Sequence, residues 1–73
     1  MKNKEQKLIL LGSKVKLFRQ EIGLSQEKLA EICEFDRIYF SLIERGQKNI
    51  SFINLLKLAK GLNITPSELI EDF

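Results

Sequence analysis

The stretch QEKLAEICEFDRIYFSLIER, residues 26–45, decides the fold of this 73-residue chain. Ser25 stands just before it as an N-cap, with an oxygen to offer the free amides of a first turn. Leu29, Ala30, Ile32 and Cys33 follow at helical spacing and predict a helix over 26–33 with all four facing inward. Asp36 is a second cap, and Phe40 and Ile43 form the inward pair of a helix over 37–45 that Gly46 ends. Only Glu34 and Phe35 separate the first helix from the second cap. A connection that short makes the two helices cross sharply, as a helix-turn-helix unit does. Ala30 falls where the helices press closest, and Leu29, Cys33, Phe35, Phe40 and Ile43 fall where such a unit must be apolar to dock.

Outward from this unit the helical period continues, and no segment alternates as a strand would. Leu8, Leu11, Val15, Phe18 and Ile22 make one apolar stripe of a first helix over 5–22, stopped at Gly23. Ser51 opens a fourth helix over 52–60, with Leu55, Leu58 and Ala59 expected inside and Gly61 as its stop. Thr65-Pro66-Ser67-Glu68 is a capping box with proline at the first helical position, opening a short fifth helix through Leu69 and Ile70. The expectation is one all-α domain, residues 1–73, of five helices around a central helix-turn-helix.

Composition narrows the function classes. The chain has no histidine and one cysteine, Cys33, so an internal disulfide is excluded and a reducing cytoplasm fits. Cys33 itself reads as a small core residue. Residues 8–11 form the longest apolar run, too short for a membrane span or the apolar part of a signal peptide, so a soluble, unprocessed cytoplasmic protein is expected. Glycine-rich phosphate loops and clusters of metal ligands are absent from the sequence, which argues against an enzyme and calls for no cofactor or metal. The net charge is only +2, but its distribution is uneven. Between Phe35 and Lys60 stand Arg37, Arg45, Lys48, Lys57 and Lys60 against Asp36 and Glu44, whereas Glu68, Glu71 and Asp72 crowd the last six residues. A basic middle and an acidic end suit a polyanion on one side, although charges solvating helix faces would look similar.

Residues 23–30, GLSQEKLA, resemble the first half of the Cro/repressor (Xre-like) helix-turn-helix family, and residues 36–46, DRIYFSLIERG, resemble its second half. Asn49-Ile50-Ser51, the Leu55, Leu58, Ala59, Leu62 pattern and Pro66-Ser67-Glu68-Leu69 complete a match over roughly residues 11–71. Asp36-Arg37 with Tyr39, then Ile43-Glu44-Arg45-Gly46 and Asn49-Ile50-Ser51, look most like the controller proteins of restriction–modification systems. The resemblance implies a λ repressor-like fold and a transcriptional regulator that binds double-stranded DNA. It also implies a structural ion pair between Arg19 and Glu44. Two positions depart from the family. Glu34 replaces the usual turn glycine and must take a strained or left-handed conformation at ~1 kcal/mol. Ile38 stands where Thr or Ser is common, and suits either a thymine methyl or a helix that reads no bases.

On this reading the 37–45 helix enters the major groove and presents Arg37, Ile38, Ser41, Leu42 and Arg45, with Leu42 as an exposed apolar position. Arg37 could pair bidentately with a guanine, worth roughly 1–3 kcal/mol of discrimination, or rest on a phosphate. Ser41 can reach a base or a phosphate, and Leu42 a thymine methyl or a protein partner. Gln26 lies where an amide reaches a phosphate or base edge. Candidate phosphate contacts are Ser25, Tyr39, Arg45, Gln47, Lys48, Asn49 and Ser51, several of them at helix N-termini whose free amides attract anions. Tyr39 has a second reading, as a ring packed beside the turn.

A domain this small gains stability and affinity from a second subunit, so a homodimer on a near-palindromic operator is expected. Half-sites would lie ~34–36 Å apart, one turn of DNA. Ile64, Leu69, Ile70 and Phe73 are the expected dimer surface, being more apolar area than a two-turn helix buries alone. RNA polymerase is a further candidate partner. The rival reading is a protein-interaction module on the same fold, an antitoxin or partner-binding regulator, motivated by Ile38 and Leu42.

Overall fold

The structure is a computed structural model that describes residues 2–73. Its five helices are α1 (Lys4–Glu21), α2 (Gln26–Cys33), α3 (Arg37–Glu44), α4 (Phe52–Gly61) and α5 (Pro66–Ile70).

Each helix begins at a side chain that satisfies amides the helix itself leaves free. Ser25 accepts from the Lys28 amide, Asp36 from those of Ile38 and Tyr39, and Ser51 from that of Asn54. The box at α5 closes as the sequence spelled it: Thr65 accepts from the Glu68 amide, and the Glu68 carboxylate accepts from the Thr65 amide. A second reciprocal box starts α1 one residue earlier than the apolar stripe suggested. Asn3 accepts from the Gln6 amide at 2.8 Å and its own amide donates to the Gln6 side chain at 3.0 Å. Asn and Gln supply the same two oxygens as Ser and Glu in the commoner form.

The short connection between α2 and α3 is made as its length requires. Glu34 sits in the left-handed region at φ 59°, ψ 38°. This lets the Phe35 amide turn back to the Ala30 carbonyl at 2.8 Å, so the end of α2 is satisfied within a single residue. Ala30 is buried between the helices, and Phe35 meets Tyr39 edge to face at 5.3 Å.

Val15, Leu29, Phe40, Ile43, Leu58, Leu62 and Leu69 form the innermost layer, contributed by all five helices or their ends. Five expected inward positions differ. Ile22 and Ile32 are exposed, while Leu8, Phe18 and Leu55 are only half buried. Ile22 falls at the C-cap of α1, where the chain is already leaving the stripe. At about 100° per residue, Leu29, Ala30, Ile32 and Cys33 span an arc of roughly 160° with Ile32 at one edge, and the neighbouring helices cover only the part that holds the other three. No helix among the described residues is long and apolar enough to cross a membrane.

Candidate nucleic-acid interface

The placement of α3 rests on two close approaches. At Gly12 the backbone of α1 presses on the end of α3: a Cβ there would lie 2.5 Å from the Glu44 carbonyl oxygen and 2.6 Å from that of Ile43. Further along α1, the buried Arg19 reaches Glu44. Its Nε donates to Oε2 at 2.6 Å and its Nη2 to Oε1 at 3.1 Å, a bidentate pair. The Arg19 Nη1 also donates to the Leu24 carbonyl at 2.8 Å, so one guanidinium ties α1, the loop before α2 and the end of α3 together. The Glu44 side chain is only 2% exposed, so loss of either partner would leave a charge in the interior, at a cost of about 3–5 kcal/mol.

Gln26 belongs to the same network. Its Nε2 donates to Glu44 Oε1 at 2.8 Å, an arrangement the carboxylate enforces because the amide oxygen would be repelled there. The half-buried Gln26 thus links α2 to α3, and keeps one amide N–H and its oxygen for an outside partner.

Locked in this way, α3 turns a short face outward. Arg37, Ile38 and Arg45 are exposed, Ile38 at 69%, while Ser41 and Leu42 between them are half buried. The expectation that Leu42 would be an exposed apolar position is therefore corrected. The chain continuing past Gly46 accounts for part of this, since the Gln47 amide returns to the Leu42 carbonyl at 2.9 Å. Arg37, Arg45 and Lys48 make no ion pair among the described residues, so their charges are available to an external anion.

The remaining candidates flank this face. Ser25, Gln47, Lys48, Asn49 and Ser51 are all exposed. Ser25 and Ser51 already accept from capped amides, so each hydroxyl keeps its proton to donate. Tyr39 is half buried, its ring against Phe35 and its hydroxyl oxygen accepting from Asn54 Nδ2 at 2.9 Å. Sequence reasoning missed Asn54, because nothing in the local pattern of α4 shows that its side chain meets α3.

At the opposite end, Leu69 is wholly buried and belongs to the monomer core, so it offers no surface to a partner; this corrects its expected place in a dimer face. Ile64 is half buried against that core. Ile70 and Phe73 remain exposed, and Phe52 (69%) and Ile53 (60%) join them. Phe52, Ile70 and Phe73 border a hollow of about 220 Å³ also lined by Leu8, Leu11, Ile50 and Leu55. Phe52 and Ile53 could have been suspected from the sequence, since two large apolar residues directly after the Ser51 cap cannot both face inward.

A profile described as helix-turn-helix matches residues 15–69, most of the chain and all of the candidate DNA contacts from Ser25 to Ser51. The chain belongs to the helix-turn-helix family. Within this family it is 48% identical over 65 residues to the control protein C.MunI of Mycoplasma sp, covering 88% of each protein. Among solved helix-turn-helix structures, it superposes on the restriction-modification controller protein C.AhdI of Aeromonas hydrophila with a TM-score of 0.84 and 46% identity. That alignment covers 86% of this chain and 96% of that one. It is also similar to the controller protein C.Esp1396I, solved as a tetramer with its natural 35 base-pair operator, with a TM-score of 0.80 and 34% identity over 88% of this chain and 84% of that one.

Proposed function

We propose that this chain is a sequence-specific, double-stranded DNA-binding transcriptional regulator. It acts as a homodimer on a near-palindromic operator, in the manner of restriction–modification controller proteins. The observation that carries the reading is the outward face of α3. Unpaired Arg37 and Arg45 stand near its two ends, with Ile38 exposed beside Arg37, on a helix clamped by Gly12 and the Arg19–Glu44 pair. A rigid helix of eight residues fits a major groove ~12 Å wide, where arginine pairs with guanine and an aliphatic side chain meets the thymine methyl. Lys48, Asn49, Gln47 and the hydroxyls of Ser25 and Ser51 lie on the flanks and would set register on phosphates.

The similarity to C.MunI, C.AhdI and operator-bound C.Esp1396I supports the same reading, and with it a timing role in restriction–modification. Half burial of Leu42 leaves Ile38 as the one strongly exposed apolar residue of α3, which weakens the case for a protein-docking module there. A regulator of this kind would work in the cytoplasm, with RNA polymerase as a further partner at the promoters it governs.

The test is selection from a random duplex pool, followed by titration of the winner against salt. A near-palindromic site with half-sites one turn apart is expected. So is an affinity that falls steeply with salt as displaced counterions are counted. Failure to enrich any sequence would remove base recognition and return Ile38 to a protein-binding role.

A further inference from the structure

Tyr39 is held from two directions. Phe35, in the turn, packs edge-on against its ring, while Asn54, in the first turn of α4, donates Nδ2–H to its hydroxyl oxygen at 2.9 Å. A phenol has one proton and accepts through its oxygen. When the oxygen accepts from Asn54, its proton cannot point back into that bond and is left for another acceptor. The bond places the hydroxyl at the first turn of α4, whose exposed N-cap Ser51 accepts from the Asn54 amide at 3.1 Å and so keeps its own hydroxyl proton to donate. Asn54 is thereby bonded to two hydroxyls on different elements, to Tyr39 through its side chain and to Ser51 through its backbone.

We propose that Asn54 is a positioning residue for DNA binding: by occupying the oxygen of Tyr39 it turns the hydroxyl outward as a phosphate donor at the start of α4. The inference rests on the DNA-binding reading above. It makes the grip of α3 on the backbone depend on a side chain of α4 that itself need not touch the nucleic acid. The bond also spans the two elements that approach the duplex, so it holds their donors at a constant separation.

A double-mutant cycle separates this role from simple packing. Wild type, Tyr39→Phe, Asn54→Ala and the double variant are titrated with the selected duplex and with an unrelated duplex of equal length, and each is melted without DNA. Phosphate contacts carry no sequence information, so both duplexes report on them. Loss of one hydrogen bond to DNA should weaken binding by roughly three- to tenfold in either single variant. The double variant should be little weaker than either. A third substitution, Asn54→Asp, removes the donor and supplies an acceptor that captures the Tyr39 proton. It should weaken binding more in the wild-type background than in the Tyr39→Phe background. This comparison holds even where Asn54→Ala lowers the melting temperature. Additive losses in DNA affinity, or coupling confined to the melting temperature, would overturn the proposal. Absence of wild-type binding to either duplex would instead overturn the DNA-binding reading on which it stands.

Discussion

Glu34, at φ 59°, is a residue with a Cβ placed where the backbone favours glycine. The left-handed region crowds Cβ against the following carbonyl at about 1 kcal/mol. Glu34→Gly should therefore raise stability by about 1 kcal/mol less the extra freedom glycine gives the unfolded chain. Melting at fixed protein concentration would show a rise of a few degrees; a fall would mean that the Glu34 side chain stabilises the turn by some other contact. Cys33 carries a different prediction. Burial pushes its thiol from 9.0 up to about 11, with the Lys57 charge pulling weakly the other way. The folded state thus holds this proton more tightly than the unfolded chain. Its contribution to stability is intact below pH 9.0 and is lost as pH rises through about 11. Urea unfolding at pH ~8 and ~10.5, either side of the unfolded thiol's titration, should show a larger loss for wild type than for Cys33→Ala. Equal losses would mean that the thiol ionises as readily in the folded protein as in the unfolded chain. Tyr39 and Gln26 make the complementary point at this scale. Both were legible as candidates for DNA contact, but their bonds to Asn54 and Glu44 join residues 15 and 18 positions apart, which no local spacing announces.

Between elements, the contact of α1 with α3 is the one that aims the proposed recognition helix. Alanine is a better helix former than glycine by about 1 kcal/mol, so propensity alone would favour Gly12→Ala. The contact decides otherwise. A Cβ at 2.5 Å from the Glu44 carbonyl oxygen meets backbone, which cannot rotate away. The helices must part, at a cost of about 1–3 kcal/mol, and the Arg19–Glu44 geometry shifts with them. The variant should melt lower and bind DNA more weakly than wild type. A higher melting temperature would show that α1 can slide without strain. The caps at Ser25, Asp36, Ser51 and Thr65 were readable because a cap is a matter of three or four consecutive residues. The role of Gly12 was not, since nothing in the local sequence of α1 shows that the end of α3 packs against its backbone.

For the whole molecule, the decisive division is between apolar residues the monomer buries and those it leaves out. Leu69 and Ile70 are neighbours in α5, yet Leu69 is wholly buried and Ile70 is 43% exposed. Leu69→Ala should therefore destabilise the fold by about 2–5 kcal/mol, read as a lower urea midpoint. Ile70→Asp combined with Phe52→Asp should leave helix content intact. Sedimentation should then report a monomer, against the dimer proposed for wild type. A double variant that still sediments as a dimer would exclude the hollow these residues border as the dimer interface. Lys14 helps to fix this surface. Its ammonium donates to the Glu71 carbonyl at 2.6 Å, lies 3.8 Å from the Asp72 carboxylate and sits 5.7 Å from the centre of the Phe73 ring, holding the last residues against α1.

What the sequence by itself determined is whatever depends on neighbours along the chain. Helix starts follow from Ser25, Asp36, Ser51 and Thr65, the sharp crossing of α2 and α3 from a two-residue gap before a cap, and the core face from apolar spacing. The basic character of the α3 side was likewise a local fact. Only the tertiary structure decided which apolar residues are left over, because burial depends on how much of each helix its partners cover. Ile22 and Ile32 came out, Leu42 went halfway in, and Phe52 and Ile53 joined Ile70 and Phe73 at the surface for this reason. Only the tertiary structure, too, tied Gln26 into the Arg19–Glu44 pair and Tyr39 to Asn54. A hydrogen bond requires two groups within about 3 Å, and packing alone brings distant parts of a chain to that distance.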